Sequence, residues 1–219
     1  MKETTILEKE KVEPRKAVLI EGLPGQGLVG KIAAEYLARQ LKAKKIADLY
    51  SPHFAYYVMV NKKGDVRLLR SEFYYWKNDQ GETIGGYRKE VKGEPQVLAS
   101  ATSQELLAKA TEAGAKNSPA GSPIVGTAGL LVGLAKFRGL DAACLLAETP
   151  GYLPDPKAAK KVLQVISRML GFEVDLSELE KEIYRSEQIA ERMKRIEEQR
   201  RVLERERKRI EEEKISYIS

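Results

Sequence analysis

The segment 176–214 constrains the fold of this chain more than any other feature. It contains neither Gly nor Pro and is dominated by Glu, Arg, Lys and Leu. Such a composition predicts one uninterrupted helix, which Asp175 or Ser177 would cap. At about 1.5 Å per residue the helix would extend roughly 55 Å, which is farther than a small core can cover. It is therefore expected to form a C-terminal extension outside the core.

Apolar residues recur along this segment at every seventh position, as at one of the two core positions of a heptad. The other core position becomes polar after Met193, at Arg200 and Arg207, so the seam is half polar. A solvated single helix remains an alternative. Packing against another subunit is favoured, because isolated helices depend on tertiary contacts. The predicted homo-oligomer interface, of coiled-coil type, consists of Ile189, Met193, Ile196, Leu203 and Ile210.

Before this helix, short apolar runs alternate with segments of helical spacing. The alternation predicts an α/β core, with an open, mostly parallel sheet and flanking helices. The chain then comprises a charged N-terminal segment (1–14), an α/β core domain (15–172) and a long C-terminal helix with its tail (173–219). Strands are predicted at 17–20, 46–50, 54–60, 66–70, 96–99 and 142–147, with a hairpin turn at 61–65. Helices are predicted at 28–42, 103–113, 127–137 and 156–170.

A glycine-rich turn at residues 21–31 resembles two nucleotide-binding motifs. Residues 25–30 give G-x-G-x-x-G, and Asp48 lies 18 residues further on, near the usual position of a ribose-binding acid. Residues 25–31 also give G-x-x-x-x-G-K, but Ile32 follows where a phosphate-binding loop needs a Ser or Thr hydroxyl for magnesium. A tight turn that packs helix against sheet is favoured on the residues alone. Nucleotide binding stays open as the alternative.

Few residues offer catalytic chemistry. His53 is the only histidine, and the sequence has no metal-ligand spacing and no G-x-S-x-G elbow. Cys144, the only cysteine, lies in an apolar run and is expected to be a small buried hydrophobe. Glu148 follows a strand, where open α/β sheets bind ligands, and is the best catalytic candidate if the chain is an enzyme. A carboxylate bonded to backbone amides is favoured there, so no catalytic residue, metal or cofactor is predicted.

The charge pattern limits the expected partners. The formal net charge is +6, but the signs are interleaved, with 12 basic and 10 acidic residues in 181–214. A nucleic-acid binder would show a face of one sign, so no nucleic acid is expected. Residues 1–14 lack an apolar signal core and no run reaches membrane-spanning length, which predicts a cytoplasmic protein without a membrane partner. Abundant charge with a single Cys is typical of thermophiles.

Three segments together resemble the proteasome assembly chaperone family, specifically its archaeal homologues. They are EGLPGQGLVGK at 21–31, SPAGSPIVGTAGLL at 118–131, and LAETPGY at 146–152 with DPKAA at 155–159. The resemblance extends across most of residues 17–172. It implies an α/β fold without known catalysis, self-assembly, and binding to proteasome α-subunits or their ring. It also implies that the glycine-rich turn is architectural.

The C-terminal tail departs from the family pattern. Related proteins that dock on the α-ring end in a hydrophobic residue, Tyr and any residue, which places the Tyr and the carboxylate in a pocket between subunits. This chain ends Ile215-Ser216-Tyr217-Ile218-Ser219, with Ile218 in the place of the Tyr. The tail is similar in character but out of register. The predicted partner-binding residues are Tyr217, Ile218 and Ser219.

A second departure lies at residues 76–84. Family members usually have a further strand-helix-strand before the element at 85–87, and here a few residues bridge that place. A parallel crossover unit takes roughly 30 residues or more, so this chain lacks one. Either the unit is deleted and another subunit covers the gap, or the sequence joins segments that are separate in the natural protein. In the second case a Cα–Cα distance near 79–81 would exceed the ~3.8 Å of linked residues.

These observations predict a non-enzymatic, proteasome assembly chaperone-like protein. It is expected to bind itself and either proteasome α-subunits or a paralogous chaperone. The alternative is a nucleotide-binding α/β enzyme that uses the Gly25–Gly30 loop, with Glu148 near the site. A coiled-coil scaffold whose α/β domain binds another partner is a third possibility.

Overall fold

A computed structural model describes residues 3–13, 18–55, 58–60, 64–76, 85–88, 94–151 and 153–216. It forms two compact units, Met1–Asp175 and Leu176–Ser219. In chain order the strands are β1 (Thr5–Glu8), β2 (Lys44–Tyr50), β3 (Val58–Val60), β4 (Val66–Leu68), β5 (Ser71–Tyr75), β6 (Gly85–Arg88), β7 (Val97–Ala101), β8 (Lys116–Asn117) and β9 (Ala143–Thr149). The helices are α1 (Val29–Gln40), α2 (Gln104–Glu112), α3 (Thr127–Phe137), α4 (Pro156–Leu170) and α5 (Ser177–Ser216), and a 3-10 turn, Gln26–Leu28, precedes α1.

The α/β fold class is confirmed, but among the described strands the expected mostly parallel arrangement is wrong, because two of the three sheets are antiparallel and the central sheet is mixed. Its strand order is β6-β9-β7-β8. The pairs β6–β9 and β7–β8 are parallel, but β7 and β9 are antiparallel, with Val97 opposite Ala147 and Ala101 opposite Ala143. All seven residues of β9 are buried. A strand that is buried on both faces has a continuous apolar sequence whether its neighbour is parallel or antiparallel. The sequence pattern therefore does not predict the direction of pairing.

The other two sheets are antiparallel. The first has the order β1-β2-β5, with a register shift in β2 between Lys45 and Ala47. The second is the β3–β4 hairpin, in which Val58 lies opposite Leu68 and Val60 opposite Val66. This pairing confirms the predicted hairpin, although residues 61–63 of its turn lie outside the described residues. Both strands of the hairpin expose their apolar side chains.

The predicted strands at 46–50, 96–99 and 142–147 are confirmed as β2, β7 and β9. The prediction at 17–20 is wrong for residues 18–20, which form no strand. Leu19 is exposed there, and a four-residue apolar run alone does not distinguish a strand from a surface segment. The sequence did not predict β1, β5, β6 or β8.

The five predicted helices are all confirmed, and several have the expected end signals. The hydroxyl of Ser103 accepts a hydrogen bond from the amide of Leu106 at 3.3 Å and caps α2. Asp155 caps α4, and Pro156 occupies its first turn. The apolar face of α4 is buried against β9 and α1. The hydroxyl of Tyr36 in α1 donates a hydrogen bond to the backbone carbonyl of Asp175, which follows α4, at 2.7 Å.

The second unit contains α5, a single helix of 40 residues. The described residues include no helix that combines the length and apolarity needed to cross a membrane. Residues 77–84 of the short bridge lie outside the described residues, so both explanations of the bridge remain predictions. Trp76, at its start, packs edge-on against Phe172 with ring centroids 5.9 Å apart.

Candidate functional site

The glycine-rich segment forms a tight corner directly before α1. Gly27, in the 3-10 turn, is buried and has a φ of 61°. A Cβ atom on Gly27 would overlap Oγ1 of Thr149 at the end of β9. Glycine is therefore needed at position 27 both for its backbone angle and for the close approach. The atoms that approach the backbone of Gly27 belong to the chain's own strand β9.

Hydrogen bonds join this corner to the start of α4. The amide of Asp155 donates to the carbonyl of Gly27 at 2.8 Å. The carboxylate of Asp155 also accepts from the amide of Ala158 at 2.9 Å. Thr149 accepts from the amide of Gly151 at 3.2 Å. The segments 21–31 and 146–159, which lie far apart in the sequence, thus meet in one packed corner.

The residues on which nucleotide binding would depend have structural partners within their own elements. Nζ of Lys31 lies 3.6 Å from a carboxylate oxygen of Glu35, one turn along α1. Ile32 follows within the same helix and offers no hydroxyl. Asp48, the candidate ribose-binding acid, is buried on β2 and lies 2.6 Å from Nζ of Lys45 on the same strand. The geometry supports the architectural interpretation of the glycine-rich turn.

Glu148 is bound to the backbone of the neighbouring chain segment. Its side chain is buried, and Oε2 accepts from the amide of Gln96 at 3.3 Å. The amide of Glu148 donates in turn to the carbonyl of Gln96 at 2.8 Å. This carboxylate therefore joins the end of β9 to the start of β7, as expected for a structural group bonded to backbone amides.

Cys144 and His53 lie in contrasting surroundings. Cys144 is buried in β9, and burial raises the pKa of its thiol to about 12. His53 is exposed in the turn after β2, where its amide donates to Oγ of Ser51 at 3.2 Å. Within the described ranges, no group of three or more His, Cys, Asp and Glu side chains is arranged to hold a metal ion.

A charged network on the β1-β2-β5 sheet was not anticipated from the sequence. Asp48 lies 3.1 Å from Nζ of Lys9, 2.6 Å from Nζ of Lys45 and 3.1 Å from Nε of Arg70. Oε1 of Glu72 lies 2.6 Å from Nζ of Lys45 and 2.7 Å from Nη2 of Arg70. The network forms because Asp48 lies opposite Glu72 in the β2–β5 register. No motif reveals that pairing before the register is known.

The cations of this network keep both carboxylates ionised. Burial alone would raise the pKa of Glu72, but hydrogen bonds from Lys45, Arg70 and Tyr74 outweigh it and lower the pKa to about 2. Burial would likewise raise the pKa of Asp48, and hydrogen bonds from Lys45 and Lys9 with the charge of Arg70 hold it below its usual value. A cleft of about 400 Å³ adjoins Glu72, with Tyr74 and residues of α1 in its wall. Neither Gly27 nor Glu148 lines this cleft.

The predicted oligomer interface lies on α5. Ile189, Met193 and Ile196 are 60%, 57% and 47% exposed. Their spacing of four and three residues places them on one face of the helix. Leu203 and Ile210 continue the spacing along the helical backbone, and their side chains lie outside the described part of the chain. We name Ile189, Met193 and Ile196 the α5 stripe.

The predicted partner-binding tail, Tyr217, Ile218 and Ser219, lies outside the described residues. The helix α5 ends directly before it, at Ser216.

Comparison with known proteins gives a family and close structural counterparts. The model of the PAC2 family matches residues 19–84 and 80–197. A crystal structure of PbaB from Pyrococcus furiosus, described as an archaeal proteasome activator, superposes with a TM-score of 0.82 at 37% identity, covering 89% of this chain and 100% of that one. PbaA from the same organism, described as an archaeal homologue of proteasome-assembly chaperone, gives a TM-score of 0.74 at 30% identity over 94% of this chain and 98% of its own. An uncharacterised protein of Methanocaldococcus jannaschii is 32% identical, with 83% of this chain and 85% of the relative covered.

Proposed function

The chain belongs to the PAC2 family, and from this premise we propose that it is a non-enzymatic, proteasome assembly chaperone-like protein. In this proposal it self-assembles in the cytoplasm and binds proteasome core-particle subunits or a paralogous chaperone. The observation that carries the proposal is the likeness to PbaA, which extends over nearly the whole of both chains. The mixed α/β fold and the long C-terminal helix are part of that likeness.

The packed corner around Gly27 supports the non-enzymatic part of the proposal. The glycine backbone approaches Thr149, and the candidate acid Glu148 accepts from a backbone amide. A reacting carboxylate needs access to substrate, whereas this one is buried. Neither the family nor the structural counterparts support the alternative of a nucleotide-binding enzyme.

Self-assembly is supported by the α5 stripe. An apolar stripe on a single helix needs a partner surface, because helices of this kind derive most of their stability from packing. A double variant, Ile189→Lys with Ile196→Lys, is expected to lower the mass of the full-length protein in light scattering. The control, Glu187→Lys with Arg195→Glu, changes charges of α5 outside the stripe and is expected to leave the mass unchanged. A monomeric mass for the unmodified protein would contradict self-assembly.

Proteasome activation is a second candidate function, favoured by the higher identity and TM-score to PbaB than to PbaA. The two functions differ in the state of the proteasome that is bound. An assembly factor acts on free α-subunits or their ring, whereas an activator acts on the complete core particle.

A capture experiment tests the proposal and separates the two functions. The full-length protein is immobilised and exposed in parallel to free α-subunits and to the complete core particle, whose peptide hydrolysis is also measured. Assembly predicts retention of the α-subunits, and activation predicts faster peptide hydrolysis. Retention of neither would contradict both candidates.

Paired variants in the same capture experiment test the tail. Tyr217→Ala is expected to weaken retention if the tail docks, because it removes the aromatic anchor. Ser216→Ala, next to it, serves as the matched control and is expected to leave retention unchanged. Equal retention of both variants would show that the tail is not the docking element.

We also propose that the bridge at 76–84 stands where relatives have a further strand-helix-strand unit, either through a deletion that another subunit covers or through a join of separate segments. Support comes from the two family-model matches, which overlap at residues 80–84. The exposed apolar side chains of the β3–β4 hairpin are consistent with a neighbouring layer that the described residues do not supply. Comparison of the encoding gene with this sequence decides between a deletion and a join of separate segments.

A further inference from the structure

Helix α3 is apolar along its whole length and yet contains no buried residue. Its sequence, TAGLLVGLAKF, has a single charged side chain. Leu130, Leu134 and Phe137 are 62%, 45% and 87% exposed. A helix of this composition normally lies inside a core or an interface, because water contact of its apolar side chains is unfavourable.

The exposed apolar residues lie on one side of α3. An α-helix turns about 100° per residue, which places Leu130, Leu134 and Phe137 within one narrow stripe together with Gly133. Val125, shortly before the helix, and Leu140, shortly after it, are also exposed, and the amide of Leu140 donates to the carbonyl of Ala135 at 2.9 Å. We name this surface the α3 face; it consists of Val125, Leu130, Gly133, Leu134, Phe137 and Leu140.

The two glycines within α3 have different surroundings. A Cβ atom on Gly129 would overlap the carbonyl oxygen of Ile124, so packing within the chain explains that glycine. A Cβ atom on Gly133 would meet no atom within 4 Å. Glycine is among the least favourable residues in a helix interior, and no contact among the described residues requires it at position 133. A glycine on an open apolar stripe permits another backbone to approach closely.

The occupant that these observations favour is a second copy of the chain. The exposed side chains of the α3 face amount to on the order of 600 Å². That area approaches the roughly 800 Å² per partner of a stable interface, and it lies at the upper end of the roughly 300–600 Å² of the largest apolar patch on a typical monomer. The α3 face carries no charge, so it has no group that would pair with a charged partner. The same apolar face on a second copy matches it in polarity, as a two-fold interface requires.

We propose that the α3 face forms a two-fold interface between copies of this chain, with the two α3 helices crossing near Gly133. Phe137 lies one helical turn after Gly133 on the same helix. In the interface, Phe137 of each copy covers the open surface beside Gly133 of the other copy. This interface is distinct from the α5 stripe, since the two lie on separate units. The proposal rests on the self-assembly part of the proposed function and assigns to it a surface that the sequence did not indicate.

The test measures the mass of the full-length protein by sedimentation over a range of concentrations. Phe137→Glu places a charge on the face and is expected to weaken association at least about tenfold. Lys136→Glu introduces the same side chain on the neighbouring, off-face position and is expected to leave the mass unchanged. Circular dichroism checks that each variant is folded.

A second variant keeps the test decisive if Phe137→Glu fails to fold. Gly133→Leu has room within its own subunit and improves helix propensity, so it is expected to fold and still to weaken association at least about tenfold. If this variant has the same mass as the unmodified protein at all concentrations, the proposal is wrong.

The outcomes separate this inference from the proposed function. If the α5 double variant lowers the mass and the α3 variants do not, self-assembly stands and the α3 interface is wrong. If the unmodified protein is a monomer, both fail. Capture of α-subunits by the α3 variants then shows whether proteasome binding requires this interface.

Discussion

The side chain of Thr149 occupies the space that a Cβ atom on Gly27 would need. The contact joins the glycine-rich turn to the buried end of β9, and Asp155 adds a hydrogen bond to the carbonyl of Gly27 at 2.8 Å. A sequence motif that resembles a phosphate-binding turn is therefore used for internal packing. The three contacting residues come from segments that also carry the family resemblance.

Gly27→Ala is expected to destabilise the fold by about 2 to 4 kcal/mol, because it combines overpacking against Thr149 with a positive φ. Gly25→Ala is the matched control. Gly25 has a φ of −137° and a Cβ there would meet nothing within 4 Å, so a change below about 0.5 kcal/mol is expected. Chemical denaturation of both variants measures the difference. Equal stabilities would show that the turn is not packed as described.

The Asp48–Glu72 network predicts a specific loss of stability in acid. The pKa of Glu72 is about 2 in the folded chain against an ordinary 4.5, and the pKa of Asp48 is also lowered. When the pKa of a carboxyl group is lower in the folded than in the unfolded chain, its contribution to the free energy of unfolding is complete above the unfolded-state pKa. That contribution is lost as pH falls through the folded-state pKa. The free energy of unfolding is therefore expected to decrease as pH falls from about 4.5 towards 2.

Glu72→Gln is expected to reduce the free energy of unfolding at pH 7 by about 1 to 2 kcal/mol and to flatten its decrease in acid. Glu35→Gln, which removes an exposed partner of Lys31, is the control and should cost less than about 0.5 kcal/mol. Urea titrations at several pH values measure both. An unchanged acid profile for Glu72→Gln would exclude Glu72 as a source of the pH dependence.

Cys144 is expected to resist thiol reagents in the folded protein. Its position in β9 excludes reagent, and its raised pKa of about 12 leaves almost no thiolate at pH 8. Modification should then proceed only through unfolding and become complete in denaturant. Rapid labelling by iodoacetamide under native conditions would contradict the burial of β9.

The long helix, the other four helices and the buried strand β9 could be predicted from the sequence, because each carries a strong local signal. Ser103 and Pro156 mark helix starts, and residues 176–214 lack any helix breaker. The direction of β9 could not be predicted, since it depends on the path of the chain. The network of Asp48 and Glu72 depends on strand register, which likewise has no local signal. The corner at Gly27 was predicted to be architectural, and its partner Thr149 became known only from the fold.

No nucleotide is expected to bind at the glycine-rich turn, because Ile32 replaces the magnesium-binding hydroxyl and Thr149 fills the approach to Gly27. Melting curves with millimolar ATP or NAD check this, since a ligand that binds only the folded state raises the melting temperature. A rise of several degrees with either compound would restore the enzyme alternative.

Native mass spectrometry of the full-length protein mixed with proteasome α-subunits from the same organism tests the proposed function most directly. We predict that the protein alone gives the mass of a homo-oligomer and that the mixture gives a further species containing both proteins. A monomer that stays separate from the α-subunits at micromolar concentration would contradict it.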